Sequence, residues 1–253
     1  MIVAEGLHKR FRRAGARRGD TPLVAVDDVG FSAEDGAVTG LLGPNGAGKS
    51  TTLRMLATLI RPDAGRATID GHDVVTDVLA VRRSLGFMPH DAGVYPRLTA
   101  RENVHYYARL AGLDARTARS RTGELIEQLG MVGFAERRAA GFSQGQRTKV
   151  ALARALVHRP RTIMLDEPTN GLDVMATRSL REIVRDLAAS GHCIVFSSHV
   201  MQEVAALCDT IAIVADGRVA MVDSLDGILG RTGKSDLEDA FVHATGADRG
   251  TDG

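Results

Sequence analysis

A glycine-rich run, Gly43-Pro44-Asn45-Gly46-Ala47-Gly48-Lys49-Ser50-Thr51, constrains the fold of this chain more than any other feature. It follows Val38–Leu42, which reads as a short buried strand, and precedes residues 51–60, which have the apolar spacing of a helix. A glycine turn between a strand and a helix exposes successive N–H groups, which bind an anion together with the helix N-terminus. The run therefore predicts a phosphate cradle rather than a merely structural glycine turn.

Two side chains at the end of this run suit the phosphates of a nucleoside triphosphate. Lys49 would reach the terminal phosphates as a point charge. The Ser50 hydroxyl would be a ligand of Mg²⁺, a cation that prefers oxygen. We expect a nucleoside triphosphate and Mg²⁺ to bind here, and the predicted contacts are Gly43, Asn45, Gly46, Ala47, Gly48, Lys49, Ser50 and Thr51.

The overall composition gives no indication of a charged partner. The chain has 253 residues, with 32 Lys and Arg against 31 Asp and Glu, and a formal net charge of +1. This balance does not favour nucleic acid as a partner. Because no apolar run approaches the ~18 residues that span a bilayer, we expect that this polypeptide alone cannot form a pore. Cys193 and Cys208 lack metal-ligand spacing, and we expect buried free thiols rather than a disulfide.

Helices alternate with apolar strands in the second half of the chain. Residues 162–165 and 193–196 read as buried strands, and residues 175–189 between them read as a helix. Residues 211–215 and 218–222 flank Asp216-Gly217, a two-residue hairpin signal. This alternation is typical of an α/β fold with a parallel sheet.

The middle of the chain is rich in predicted helix. A helix follows Thr99, which has Glu102 at capping-box spacing, and a second helix is predicted at Ala115–Leu129. A third is predicted at Arg147–His158, before Pro160. Near the start, six of the ten residues in Lys9–Arg18 are basic, which favours an exposed solvated loop over a lipid-binding patch. Beyond Arg231, we expect a short helix at about 237–243 and a frayed end.

An acidic pair, Asp166-Glu167, ends the predicted strand before it. A parallel sheet presents carboxylates at its carboxyl edge beside the bound ligand. Asp166 would hold Mg²⁺, and Glu167 would orient and partly deprotonate the water that attacks the γ-phosphate. Alone, such a pair is more often a solvated strand end, but the phosphate loop in the same chain favours a catalytic role.

His199 follows the next apolar strand and opens toward the same phosphates. A neutral imidazole can donate one hydrogen bond to a γ-phosphate oxygen and accept another. We predict that His199 senses or anchors the γ-phosphate and is not the main base. The alternative is an exposed structural histidine.

A second anion-binding helix start is predicted at Ser143-Gln144-Gly145-Gln146. Read alone, it is an ordinary helix cap. The chain thus offers two anion-binding helix starts but one pair of acids. That combination makes sense if the second start closes over a nucleotide held by another copy or by a paralogue.

Taken in order, these residues resemble the ATP-binding subunits of ABC transporters. Gly43–Thr51 resembles the Walker A loop, Ser143–Gln146 the signature motif, and residues 163–167 Walker B. Residues 170–173, ending in Asp173, resemble the D-loop, and His199 resembles the switch histidine. Phe11 is similar to the aromatic residue that stacks on adenine.

The resemblance implies a P-loop NTPase fold of the α/β class, with a RecA-like core, an N-terminal antiparallel β subdomain and an inserted helical subdomain. It implies an ABC ATPase domain at residues 1–230, with the helical insert at about 90–146, and a short helix and tail at 231–253. ATP and Mg²⁺ are the implied cofactors, and the implied activity is ATP hydrolysis by Lys49, Glu167 and His199.

The family also implies partners. In a nucleotide sandwich, of two identical copies or of paralogues, Ser143, Gly145 and Gln146 of one subunit would complete the site on Lys49 of the other. Asp173 would couple the two sites. A separate integral membrane permease is implied, which places the chain peripherally at the cytoplasmic face of the cell membrane.

Two positions depart from the family pattern. Where a glutamine is expected in the Q-loop, the chain has His90 followed by Asp91. His90 offers nitrogen to a hard cation, whereas Asp91 offers oxygen, so either residue is a candidate for the metal contact. The signature motif carries Phe142 for leucine and Gln144 for the first glycine, and we expect activity to survive because Gln144 can point away from the phosphate.

Within the family, residues 93–103 and 146–156 look like the branch that serves exporter permeases, most closely the sodium-extrusion ATPases. Two other readings stay open. One is a soluble ABC-type ATPase that acts on ribosomes or DNA, although the chain has one nucleotide module and no sustained heptads. The other is a module that uses ATP only to dimerise.

Overall fold

The computed structural model describes residues 1–12 and 21–246, and in it the phosphate loop leaves the middle of a six-stranded sheet. The strands are β1 (Ile2–Phe11), β2 (Leu23–Ala33), β3 (Val38–Leu42), β4 (Ala64–Ile69), β5 (His72–Asp73), β6 (Leu85–Met88), β7 (Thr162–Asp166), β8 (Cys193–Ser198), β9 (Thr210–Ala215) and β10 (Arg218–Asp223). The helices are α1 (Lys49–Leu56), α2 (Val78–Ser84), α3 (Ala100–Leu110), α4 (Ala115–Gln128), α5 (Gln144–Leu156), α6 (Val174–Ala189), α7 (Met201–Leu207), α8 (Leu225–Thr232) and α9 (Leu237–Thr245).

The six-stranded sheet has the order β10-β9-β3-β8-β7-β6. Its pairings are parallel except for β10, which runs antiparallel to β9. Every residue of β3, β7 and β8 is buried, which explains why these strands read as nearly continuous apolar runs. Because the three strands are parallel neighbours, their carboxyl ends meet at one edge of the sheet. That edge carries Gly43, Glu167 and His199.

A four-stranded antiparallel sheet, with the order β2-β1-β4-β5, forms the N-terminal part. Its buried face joins α1 and the six-stranded sheet in one apolar core, which includes Ile2, Leu7, Leu41, Leu53 and Val195. The predicted α/β fold with an antiparallel N-terminal β subdomain is thereby confirmed.

The start of the basic stretch is a strand and not the predicted loop. Residues 9–11 complete β1 and pair with β2, with a register shift between Lys9 and Arg10. The Lys9 ammonium is fixed there because it donates hydrogen bonds to the carbonyl of Arg61 at 2.7 Å and to the Asp63 carboxylate at 2.8 Å. Tertiary contacts thus overrode the local charge pattern. Residues 13–18 of the stretch lie outside the described residues.

The helical middle agrees with the sequence pattern. The Thr99 hydroxyl accepts from the N–H of Glu102 at 3.1 Å, and the Glu102 carboxylate accepts from the N–H of Thr99 at 2.8 Å, so the predicted capping box starts α3. Helices α3, α4 and α5 share one buried cluster, which includes Val104, Leu125 and Val150. Helix α5 begins at Gln144, before the predicted Arg147, because Ser143 caps it.

The predicted hairpin at Asp216-Gly217 is confirmed, and its turn contacts the phosphate loop. The N–H of Gly217 donates to the carbonyl of Ala47 at 3.1 Å, and its own carbonyl accepts from the N–H of Asp27 at 2.7 Å. The Asp27 carboxylate accepts two hydrogen bonds from Arg218, at 2.6 and 3.0 Å. These hydrogen bonds lower the pKa of Asp27 below its ordinary value. The turn therefore ties the phosphate loop to β2.

The C-terminal helices, the two cysteines and the lengths of the helices each bear on an expectation from the sequence. Helix α9 contains the helix expected near residue 240, and the expected domain boundary at residue 230 falls inside α8. Cys193 and Cys208 are free thiols, of which Cys193 is buried and Cys208 only partly buried. Over residues 1–12 and 21–246, every helix is too short or too polar to cross a bilayer.

Candidate functional site

The loop between β3 and α1 passes very close to neighbouring backbone. A Cβ atom on Gly43 would lie 2.1 Å from the carbonyl oxygen of Val214, and one on Gly48 would lie 2.6 Å from that of Ala25. Gly48 also has a φ of 102°, which side-chain-bearing residues rarely adopt. Any larger residue at either position would clash with neighbouring backbone, so this loop requires glycine at both. The path of the chain starts α1 at Lys49, earlier than predicted, and directs the N-terminus of α1 at the loop.

A cavity of about 220 Å³ lies over the start of α1. Its lining residues are Ala25, Asn45, Gly46, Ala47, Gly48, Lys49, Ser50, Thr51, His90 and Glu167. The predicted phosphate-binding residues from Asn45 to Thr51 thus face one cavity, with Gly43 at the base of their loop. Helix N–H groups and an ammonium on one side of this cavity suit a polyphosphate.

Lys49 is buried at the bottom of the loop, with only 4% of its surface exposed. Its ammonium donates to the carbonyls of Gly43 at 2.6 Å and Pro44 at 3.1 Å. It also lies 3.1 Å from Oε1 of Glu167, which is itself buried. Lys49, the predicted phosphate contact, therefore forms a buried ion pair with Glu167, the predicted base.

Asp166 lies at the end of β7 and is fully buried. Its Oδ1 accepts hydrogen bonds from the hydroxyls of Ser50 at 3.0 Å and Ser197 at 2.8 Å. Within the described part of the chain, its Oδ2 is buried without a hydrogen-bond partner. A buried carboxylate oxygen of this kind is costly unless something pairs with it.

The arrangement of Ser50 and Asp166 fits Mg²⁺. A hydroxyl and a carboxylate oxygen lie together, and the second carboxylate oxygen is free to take a cation or a water that the cation holds. Among residues 1–12 and 21–246, no cluster of three His, Cys, Asp or Glu side chains is placed to hold a metal. This agrees with Mg²⁺ sites in which substrate phosphates and waters complete the shell.

Glu167 has an unusual backbone conformation, with a φ of 51°. Its N–H donates hydrogen bonds to the hydroxyl of Ser197 at 3.0 Å and to the carbonyl of Ser197 at 3.2 Å. Its Oε2 lies 2.5 Å from Nδ1 of His199. A non-glycine residue in the left-handed region is strained, and such strain clusters at functional sites. The carboxylate of Glu167 thus contacts both the Lys49 ammonium and the His199 ring.

Ser197 was missed by the sequence analysis. It is fully buried on β8, donates to Asp166 and accepts from the N–H of Glu167. One hydroxyl thus aligns both acids of the pair. The available signal was a pair of serines in a strand that is otherwise apolar, because a buried hydroxyl needs partners.

Of the two candidates in the Q-loop, His90 lines the cavity over α1, whereas Asp91 lines a separate groove. Nε2 of His90 lies 3.5 Å from the amide nitrogen of Asn170, at the limit of a hydrogen bond. Histidine nitrogen is a poor partner for Mg²⁺. The position of His90 suits a contact with phosphate or water better than a bond to the metal.

The start of α5 has the predicted capped geometry. The hydroxyl of Ser143 accepts from the N–H of Gln146 at 3.3 Å, and the Gln146 amide oxygen accepts from the N–H of Ser143 at 3.1 Å. A Cβ on Gly145 would lie 3.1 Å from Cβ of Ala176, so Gly145 allows α5 and α6 to approach closely. The Gln144 side chain passes beside Gly171.

Some predicted nucleotide contacts do not line the cavity over α1, namely Ser143, Gly145, Gln146, Phe11 and Asp173. Phe11 ends β1 with 38% of its surface exposed and with the Lys9 ammonium 5.7 Å from its ring centre. Asp173 is the exposed cap of α6, where it accepts from the N–H of Ala176 at 2.8 Å. Within one copy, the predicted site is therefore incomplete.

The sequence of this chain matches one protein family and is similar to several of its characterised members. The family model described as ABC transporter matches residues 26–170. The ABC transporter ATP-binding protein NatA of Bacillus subtilis is 42% identical over 219 residues, which cover 86% of this chain and 89% of that protein. The linearmycin resistance ATP-binding protein LnrL of Bacillus subtilis is 32% identical, over 92% of this chain and 72% of that protein.

A solved structure is also similar. It is a dimeric structure of the ATP-binding cassette MJ0796 in a post-hydrolysis state, bound to ADP and Pi. The TM-score is 0.78 at 26% identity, and the match covers 89% of this chain and 99% of that one. The likeness thus extends to a cassette that is bound to the products of ATP hydrolysis.

Proposed function

The chain belongs to the ABC transporter ATP-binding family, and on that premise we propose that it hydrolyses ATP to power export through a separate membrane permease. The observation that carries the proposal is the meeting of Lys49, Asp166, Glu167 and His199 at the edge of the parallel sheet. Electrostatic positioning of this kind is how phosphoryl transfer is catalysed.

We assign the roles as follows. The N–H groups at the start of α1 and the Lys49 ammonium bind the β- and γ-phosphates. Ser50 and Asp166 hold Mg²⁺, which neutralises charge on the phosphates when it is bound. Glu167 accepts a hydrogen bond from the attacking water and orients it in line with the γ-phosphate. His199 fixes the Glu167 carboxylate through Nδ1, and its other ring nitrogen is available to the γ-phosphate.

The ion pair between Lys49 and Glu167 adds a step to this mechanism. When a triphosphate enters, its negative charge competes with Glu167 for the Lys49 ammonium, 3.1 Å away. Movement of Lys49 to the phosphates leaves the Glu167 carboxylate free to bind the water. In this proposal the base becomes available only when its substrate is bound.

The second half of the site comes from another subunit in our proposal. Ser143 and Gly145 lie at a capped helix start outside the cavity of their own chain, and the similar cassette MJ0796 is described as dimeric. Two copies related by a twofold axis would each place the start of α5 over the phosphates of the other. Asp173, at the adjacent start of α6, would lie at the same interface.

Mixing two inactive variants tests this arrangement. Lys49→Ala removes the phosphate contact, and Ser143→Arg blocks the helix start, so each variant alone is expected to lose turnover. In an equimolar mixture, half of the dimers carry one intact composite site, and about a quarter of wild-type phosphate release is expected to return. A mixture no more active than its components would contradict a shared site.

The permease is proposed to dock in a groove of about 800 Å³ beside the nucleotide cavity. The groove lies between the core and the helical part, and its lining includes Phe87, Asp91, Tyr107, Leu110 and Arg154. Because Asp91 lines the groove while His90 lines the nucleotide cavity, one short loop joins the two. Docking there would place the chain peripherally at the cytoplasmic face of the membrane.

Leu110 offers a test of the groove, because 62% of its surface is exposed. Leu110→Glu places a charge in the groove and is expected to reduce recovery of the chain with its permease about tenfold, as loss of an interface anchor does. ATP hydrolysis by the isolated chain should be unchanged. The matched control is Leu59→Glu, since Leu59 is 58% exposed outside the groove. Equal recovery of both variants would exclude this docking surface.

The cargo is chosen by the permease in this proposal, so sodium stays a prediction from family resemblance. ATP-driven movement of radioactive sodium by the chain reconstituted with its permease would test it. Phosphate release from the purified chain would exclude a module that only dimerises. Recovery with a membrane protein, rather than with ribosomes or DNA, would exclude the soluble alternative.

A further inference from the structure

We propose that Glu203 is a positioning residue that holds the segments carrying Glu167 and His199 in register during ATP hydrolysis. The proposal rests on the catalytic roles assigned above to those two side chains. Glu203 acts through Thr169 and Ser198, and not on the nucleotide itself. It lies in the first turn of α7, outside the motifs used to identify the site.

One carboxylate oxygen of Glu203 joins the two segments. Its Oε2 accepts from the hydroxyl of Thr169 at 2.5 Å and from the hydroxyl of Ser198 at 3.1 Å. Thr169 stands two positions after Glu167, and Ser198 directly precedes His199. A single atom therefore links the segment after β7 to the last residue of β8, and the proposed base and its histidine partner lie beside these two points.

The direction of these hydrogen bonds is set by chemistry. An ionised carboxylate only accepts, so both hydroxyls must donate to it. The Ser198 hydroxyl then uses its acceptor capacity for the N–H of Val200 at 3.0 Å. Hydrogen bonds thus fix Ser198 and Val200, the residues on the two sides of His199. Ser198 is 1% exposed and Thr169 is 8% exposed, so little water is available to replace these bonds.

Glu203 is itself held in place by the core. One position further along α7, Val204 is fully buried, and Leu207 at the end of the helix is also buried. Among the described residues, no basic nitrogen lies within 4.0 Å of the Glu203 carboxylate. An ion pair is therefore not the reason for a glutamate at this position. The group serves as an oxygen acceptor for two hydroxyls. Because both bonds go to Oε2, the amide oxygen of glutamine can accept both.

This predicts a specific pattern of kinetics. Glu203→Ala should lower kcat about thirtyfold and leave the KM for ATP within about twofold, because misplacement of catalytic groups weakens the reaction more than binding. Glu203→Gln should remain within about threefold of wild-type kcat, because it keeps the acceptor. Gln202→Ala, at the exposed neighbouring position in α7, is the matched control and should leave both parameters unchanged.

A second measurement distinguishes a positioning role of Glu203 from a merely structural one. In a Glu167→Gln background, hydrolysis is removed, and addition of Glu203→Ala should not alter ATP-dependent dimer formation measured by light scattering. If Glu203→Ala does not fold, Thr169→Val removes one of the two bonds and should by itself lower kcat with little change in KM.

Several results would overturn the proposal. These are an unchanged kcat in Glu203→Ala, a glutamine variant as slow as the alanine variant, or loss of dimer formation in the double variant. The absence of hydrolysis by the wild-type chain would instead reject the proposed function. The two failures are therefore distinguishable.

Discussion

Replacement of Glu167 by glutamine is expected to lower steady-state ATP hydrolysis by about a thousandfold, which lies within the range for loss of a general base. The carboxylate lies 3.1 Å from the Lys49 ammonium and 2.5 Å from Nδ1 of His199. Glutamine keeps the size of the side chain but removes the charge that accepts the proton of water. Phosphate release from the purified chain measures the effect.

The same variant should retain ATP and accumulate a dimer, because Glu167 is not among the residues assigned to phosphate binding. Light scattering with and without ATP would detect that dimer. Glu182→Gln changes an exposed acid on α6 and serves as the control. Turnover within a few-fold of wild type would remove Glu167 from the role of base.

Replacement of Asp166 by asparagine is expected to reduce turnover about a hundredfold and to raise the Mg²⁺ concentration needed for half-maximal activity about tenfold, because Mg²⁺ strongly prefers charged oxygen ligands. Asp166 is fully buried, and its Oδ1 is occupied by two hydroxyls. Asparagine would therefore place its nitrogen at the position of Oδ2, where a cation would be repelled by its hydrogens.

Binding of fluorescent ATP without Mg²⁺ separates metal binding from damage to the nucleotide site, and that affinity should be unchanged. Asp186→Asn, at an exposed position on α6, is the matched control. If Asp166→Asn has the wild-type Mg²⁺ requirement, Asp166 does not serve the metal.

The parts of the site that lie on continuous sequence were predictable. Gly43–Thr51 forms its loop from local backbone chemistry, and Asp166-Glu167 ends a strand whose burial is readable as an apolar run. The burial of β3, β7 and β8 also implied parallel neighbours whose ends meet. The predicted roles of these residues remain predictions that the variants above would test.

The parts that depend on contacts across the fold were not predictable. Ser197 and Glu203 become informative only when β7, β8 and α7 are brought together. The preference for His90 over Asp91 in the cavity depends on the path of one loop. Lys9 lies in a strand because Asp63, far along the chain, anchors its ammonium. No local pattern specifies any of these pairings.

The contact between the β9–β10 turn and the phosphate loop has a practical consequence for labelling the chain. Tight hairpin turns on a surface are usual places for an inserted epitope or fluorophore. Here the turn residue Gly217 bonds both Ala47 and Asp27, so an insertion there would pull on the nucleotide loop. The turn at Gly191, where a Cβ would meet no atom within 4 Å, lies at the opposite end of β8 and is the better position for a reporter.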